Sequence, residues 1–435
     1  MEVFEQSKTD NTKESIARKK KILAQFKRYH GGDNLHFAAD ADIDFDNMGP
    51  IELKNRYRNF AARAYDCLKW VITIVTPKRI QAELDTLKDK DTGAATTEAP
   101  KNIKSQFSKP SLNKYFAAYL RADRLANYYA RSHRSTFVLI YLLGAAALIT
   151  AACALAFKGE KTVLIFTGEE AVLICILLEL VFLATICCLY LQDHRWKYHD
   201  RWLEYRCLAE FFRPMCYLSL LGRPYTISSF RDTAEYLDRK IIGHSAIGRS
   251  WLYIYTESIN RWAGFNTCRL DSHCRQSVNH FITTTWLNGQ INYHTHNAAV
   301  MRVLGKNLGQ LSFGLFITTV ICVILKLITV GIDLVIGSET APDFITYLLA
   351  LGAAILPILA TTAYAIRNHA EFDISAQRSL TMRAALIFRR KKLNVNQTTL
   401  TSSQMTDILD EIATITIKET ADWLEIYEVK ESELG

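Results

Sequence analysis

The sequence predicts an all-α membrane protein: four transmembrane helices arranged as two hairpins, with helical cytoplasmic regions around them. Three observations predict it. Four apolar stretches, 135–157, 171–191, 311–336 and 344–366, are each long enough to cross ~30 Å of hydrocarbon at ~1.5 Å per residue. They come in two pairs, each joined by a short turn, which makes hairpins of 135–191 and 311–366. Lys and Arg number 25 before the first span, 15 between the hairpins and 9 after the last, against two in the first turn and none in 337–343. By the positive-inside rule both termini and the central block face the cytoplasm.

Bulk composition conceals this. An apolar share of 49% and a mean hydropathy of +0.01 are ordinary for a soluble chain, because long polar segments dilute the spans. Of the ten cysteines, Cys153, Cys175, Cys187, Cys188 and Cys322 fall in spans, where a thiol behaves as a small hydrophobe; the others fall on the reducing side, so free thiols are expected. The first ~20 residues are polar and charged, unlike a cleavable leader, so the first span is expected to direct insertion.

Residues 1–88 read as a basic, helical cytoplasmic region. Within it, 12–30 gather Ile16, Ile22, Leu23 and Phe26 on one helical face among Lys and Arg, which suits packing on the protein itself, or an anionic membrane surface. The acidic run Asp40–Asp46 lacks the Gly and terminal Glu of a calcium loop and reads as solvated. The apolar segment Trp70–Val75, closed by Pro77, is too short to span and suits docking on headgroups or protein. Residues 89–112, rich in Thr, Lys, Pro and Ala, read as a linker.

Residues 113–191 combine an interfacial helix with the first hairpin. Tyr115, Phe116, Tyr119, Tyr128 and Tyr129 alternate with Arg121, Arg124, Arg131 and Arg134, as expected of an anchor at a span's cytoplasmic mouth. Such a mixture can also stack on single-stranded nucleic acid, but beside a membrane no nucleic acid is expected. The block 192–310 is long enough to build its own small core, with Trp251, Trp262 and Trp286 as anchors. It opens on a helix that sets Trp202, Arg206, Glu210 and Arg213 on one face, where Glu210 can pair with either arginine. Treated as exposed, such a pair contributes only ~0.3–0.5 kcal/mol and serves to orient the helix. Cys268, His273, Cys274, His280, His294 and His296 lie close in sequence, but their spacing is unlike a zinc knuckle, so no metal or other cofactor is expected.

The spans carry ionisable groups. Glu179 lies eight residues from the outer end of its span and Lys326 ten from the outer end of its own, ~12 and ~15 Å deep, with Asp333 nearer that end. An unpaired charge at mid-membrane costs about 2.5–3.5 kcal/mol, so Glu179 and Lys326 are expected to meet across the hairpins or line one wet cavity; the bland alternative is a snorkelling Lys326 and a protonated Glu179. Gly352, Ala353, Ala354 and Pro357 suit a closely packed or gating fourth span. Residues 367–435 return to charged and amphipathic helices, in which Ile408, Ile412, Ile415 and Trp423 are available for burial.

Four stretches, RADRLANYYARSHRSTFVLIYLLGAAAL, RWLEYRCLAEFFR, IRNHAEFDISAQRSLTMRAAL and ETADWLEIYE, together resemble the transmembrane region of SLATT-like effectors, bacterial conflict-system proteins associated with SMODS nucleotidyltransferases or SLOG sensor domains. The resemblance covers Asn113 to the C-terminus and includes the juxtamembrane residues Arg134, Arg206, Glu210, Arg213 and Glu371. It implies an oligomeric inner-membrane protein that perturbs or permeabilises the bilayer when a cytoplasmic sensor or nucleotide-generating partner signals, and it carries over no catalytic residue. The chain departs from the simplest members in having two hairpins. Residues 1–112 also lack the Rossmann fingerprint, phosphate loop or nucleophile elbow of a front-end sensor or enzyme. Two other classes fit the spans: a non-conducting scaffold that holds a partner enzyme at the bilayer, and an ion-coupled transporter, which clear repeats between the hairpins would favour. No motif of catalytic spacing lies near a span, so an enzyme is not expected.

Overall fold

The computed structural model describes residues 64–87, 109–158, 162–163, 166–223, 251–264, 271–336, 343–395 and 400–434. The amphipathic stretch 12–30, the acidic run 40–46 and most of the 89–112 linker lie outside the described residues. Those described are almost entirely helical, and four helices are long and apolar enough to cross a membrane. The protein is thus an all-α membrane protein.

In chain order the helices are α1 (Ala64–Val75), α2 (Pro77–Leu87), α3 (Lys109–Phe157), α4 (Gly168–Trp196), α5 (Tyr198–Leu218), α6 (Trp251–Ala263), α7 (Ser272–Phe281), α8 (Asn288–Ile336), α9 (Asp343–His369), α10 (Phe372–Val395) and α11 (Ser402–Leu434). Helix α3 begins inside the expected linker, at Lys109. Its polar first half and its apolar span form one 49-residue rod, because nothing between Asn113 and Phe157 breaks a helix. Helix α8 is built the same way, also with 49 residues, and follows a π-helical turn, Ile282–Leu287.

The turn after α3 holds a two-residue antiparallel pair, β1 (Thr162–Val163) with β2 (Phe166–Thr167), which hydropathy alone does not show. Thr167 then starts α4 through a capping box: its hydroxyl accepts from the Glu170 amide at 3.3 Å and the Glu170 carboxylate accepts from the Thr167 amide at 2.9 Å. Helix α4 ends at Lys197, φ 47°, where the chain kinks without turning round: α5 continues in the direction of α4, antiparallel to the polar half of α3, with Tyr198 beside Tyr129 and Tyr217 beside Phe116. Helix α9 ends in the same way near Glu371, φ 49°, and α10 runs back along the polar half of α8. Among the described residues these are the two non-glycine positions with positive φ.

The spans pack as a row. Helix α4 lies on α3, α3 on α9, and α9 on α8. Accordingly 17% of the most apolar stretch is buried in α3 and α9, but 6% in α4 and α8. The exposed remainder is apolar and suits lipid. On the polar side α3, α5, α7, α8, α10 and α11 close over one core in which Trp286 stacks on Tyr217 at 4.8 Å. Helix α5 is buried nearly all round, its charged stripe included. Helix α11 starts at a second capping box, Thr401 with Gln404, and buries Ile412, with Ile408 and Ile415 packed beside it; the side chain of Trp423 lies outside the described residues.

Several expectations change. Tyr115 and Tyr129 are core residues rather than interfacial anchors, since α5 covers the face that carries them: Tyr129 stacks on Tyr205 at 5.8 Å. Trp286 is buried, but Trp262 is 58% exposed with the Lys114 ammonium over its ring; the side chain of Trp251 lies outside the described residues. Helix α1 docks through Tyr65 at the mouth of α3 and leaves Trp70 exposed.

Candidate functional site

The polar face seen on α5 is the centre of a buried charged cluster. Residues 206, 210 and 213 share one stripe of α5, and α3 presses Tyr119 and Asp123 against it. Glu210, 4% exposed, accepts from Arg213 Nη1 at 2.5 Å and from Arg206 Nη2 at 2.7 Å. Asp123 lies 3.6 Å from Arg206 and 3.9 Å from Arg213, and Asn127 donates to it at 3.0 Å. Arg213 also donates to the Tyr119 hydroxyl at 3.2 Å and to Gln290 of α8 at 3.1 Å. Two carboxylates thus face two guanidiniums, which makes so deep a burial tolerable.

Electrostatics follow from that geometry. Burial would raise the Glu210 pKa, but Arg206 and Arg213 outweigh it and hold the carboxyl below its ordinary value. Arg213 is shifted upward: burial opposes its charge, and Glu210 and Tyr119 more than compensate. His294, one turn beyond Gln290 on α8, is pushed down to about 4, mainly by burial and against the pull of Glu210; it stands neutral beside the cluster, and its Nδ1 has no hydrogen-bond partner among the described residues. The expected weak, exposed pair is therefore corrected. It is a buried triad that ties α3 and α5 to α8. Tyr119 belongs to the aromatic row of α3, but its role here, like those of Asp123, Gln290 and His294, escapes sequence reasoning, because each contact joins elements ~80 or more residues apart.

The remaining juxtamembrane residues sit where body and spans join. The Arg134 guanidinium lies over the rings of Trp202, at 5.0 Å, and Tyr65, at 5.6 Å. One residue away, His133 of α3 approaches Asp193 of α4 at 3.9 Å and His199 of α5, ring to ring, at 4.8 Å. Glu371 is the buried left-handed pivot between α9 and α10, and its carbonyl accepts from the Ser375 amide.

Inside the spans, Glu179 and Lys326 do not meet within one chain. Among the described residues no ion pair joins them, and their helices occupy opposite ends of the row. Both are half-buried and face their own hairpin partners. Glu179 continues the stripe of Ala171 and Cys175 against α3, and Lys326 continues that of Thr319 and Cys322 against α9. Equal depth along an axis says nothing of azimuth, so it does not bring the two side chains together within one chain. Asp333 falls in the last turn of α8, and its side chain lies outside the described residues. Pro357 lies within α9, where it removes one amide donor; Thr361 donates to the carbonyls of Pro357 and Ile358 at 2.9 and 3.0 Å. Comparison of the chain with protein-family models, with curated proteins and with solved structures finds no match.

Proposed function

We infer that the protein is a bacterial inner-membrane effector of a nucleotide-signalled conflict system, which oligomerises and makes the bilayer leaky when its cytoplasmic body receives a signal. The observation that carries this reading is the continuity of α3 and α8. Each passes without a break from the charged cluster into the membrane. A shift in the body therefore reaches the spans as a rigid displacement, with little loss in an intervening loop. The half-buried Glu179 and Lys326 supply polar groups at mid-membrane, where ionisable residues commonly mark a path for ions or water. Both termini and the body are assigned to the cytoplasm on the distribution of Lys and Arg.

The test is membrane potential. Cells expressing the full chain are loaded with a potential-sensitive dye and infected with a phage whose infection this chain is first shown to arrest. The reading predicts depolarisation before lysis, reduced in Glu179→Gln and Lys326→Met variants. An intact potential during arrest would contradict it. If a stable cytoplasmic enzyme co-purified with the chain in that case, a non-conducting scaffold would take its place.

A further inference from the structure

The two halves of the chain are the same unit built twice. A 49-residue helix runs into the membrane, a second span returns, a left-handed residue kinks the chain, and a further helix continues in the same direction down the polar half of the first: α3–α4–Lys197–α5, then α8–α9–Glu371–α10. Aligning the long helices end to end, Lys109 with Asn288 and Phe157 with Ile336, brings their hairpin faces into agreement. His133, beside Asp193 of α4, then matches Ser312, which donates to the Ala360 carbonyl of α9 at 2.9 Å. The opposite faces differ. On α3 that face carries Val138 and Ala145, both buried, while Phe137 and Tyr141 lie against His369 of α9. On α8 the matching residues are Ile317, Ile324, Phe316 and Val320, all exposed.

The contact between the units is heterologous, the long helix of one meeting the return helix of the other. A two-fold contact would use the matching surfaces twice, bringing α4 onto α8 as well, and those two helices instead end the row. One long-helix face, on α8, and one return-helix face, on α4 through Leu173, Leu177, Leu180 and Leu191, are left exposed. We propose that the occupant of each is a second copy of this chain: α8 of one copy packs on α4 of the next, repeating between copies the α3–α9 contact made within each. The series closes into a ring if the rotation per step allows it. Continuity with the internal contact singles out a copy over lipid, since the same kind of face is already covered by this unit once in every chain. The inference rests on the oligomeric part of the functional reading; it concerns assembly alone and stands whether or not the assembly conducts.

Cysteine cross-linking in isolated membranes tests it. Cys188 on α4 is exposed and lies, like position 317 on α8, about 29 Å below the outer end of its helix at ~1.5 Å per residue. Ile317→Cys in the full chain should, on mild oxidation, give a ladder of dimers, trimers and higher species. The ladder should disappear when Cys187 and Cys188 are changed to Ala. The Ile317→Cys, Cys187→Ala, Cys188→Ala chain should still form mixed dimers with a differently tagged wild-type copy. Leu180→Cys with Ile324→Cys, level with each other on the same two faces, provides a second pair should one variant fail to fold. In a chain whose other native cysteines are also changed to Ala, cross-links from Ile317→Cys that persist without Cys187 and Cys188 would join α8 to α8 and overturn the proposal, as would no cross-link from either pair in folded protein. Dye-monitored depolarisation with no ladder would sink this assembly while leaving the leak intact.

Discussion

Glu210 is the residue on which the body's electrostatics turn, because its carboxylate, the more deeply buried of the two, bridges both guanidiniums at the shorter distances. Removing one member of a buried ionic group costs about 3–5 kcal/mol, while exchanging the whole group for apolar side chains of similar volume is often neutral. Glu210→Gln should therefore lower the unfolding temperature in detergent markedly. Asp123→Leu, Arg206→Met, Glu210→Leu and Arg213→Met combined, which leaves no charge of the group unpaired, should lower it less, and a larger loss in the quadruple variant would contradict the account. His294 adds a pH dependence. With a folded pKa of about 4 against 6.5 in the unfolded chain, only the unfolded state binds the proton between those values. Its contribution is complete above pH 6.5 and falls as the pH drops towards 4, by at most on the order of 3 kcal/mol. The lowered pKa of Glu210 acts in the same direction at lower pH: its contribution is present above the ordinary carboxylate value and lost as the pH falls through the folded one. A His294→Gln variant should lose most of the slope between pH 6.5 and 4; an unchanged slope would assign it to other groups.

Between elements, glycines set the distance of closest approach. A Cβ at Gly305 of α8 would lie 3.2 Å from Phe372 Cβ, close to the α10 backbone, as well as 2.9 Å from Asp373 Oδ1. At Gly309 the nearest atoms belong to the Arg367 guanidinium, which can swing aside. Alanine improves helix propensity by up to ~1 kcal/mol at either site. Gly309→Ala should thus be neutral or stabilising, whereas Gly305→Ala should lose about 1–3 kcal/mol to overpacking. Thermal unfolding checks the difference, and equal effects would contradict it. Elements were legible in the sequence wherever one periodicity dominated: the four spans announce themselves by length and hydropathy. The left-handed kinks at Lys197 and Glu371 did not, because neither is the glycine that such a backbone favours. The charged cluster was half legible. The stripe of Arg206, Glu210 and Arg213 follows from helical spacing, but its burial depends on α3 and α8, which spacing along α5 cannot report. The duplication was missed for a related reason, since it lives in helix lengths and packing faces while few matched positions share a residue.

For the whole molecule, two units joined head to tail explain why a chain with four spans forms a row rather than a closed bundle, and why its outer faces remain apolar. Glu179 and Lys326, each held in its own hairpin seam, then mark equivalent depths in the two units rather than one internal ion pair. All of this requires the spans to lie in a bilayer with the entire polar body on one side, which the positive-inside distribution assigns to the cytoplasm. The most direct measurement is labelling of single introduced cysteines by a membrane-impermeant maleimide in intact spheroplasts. Lys158→Cys, in the turn after α3, should react from outside. Arg223→Cys and Ser402→Cys, in the body, should react only after the membrane is opened. Body positions labelled in intact spheroplasts, or Lys158→Cys protected until lysis, would contradict the topology on which the account stands.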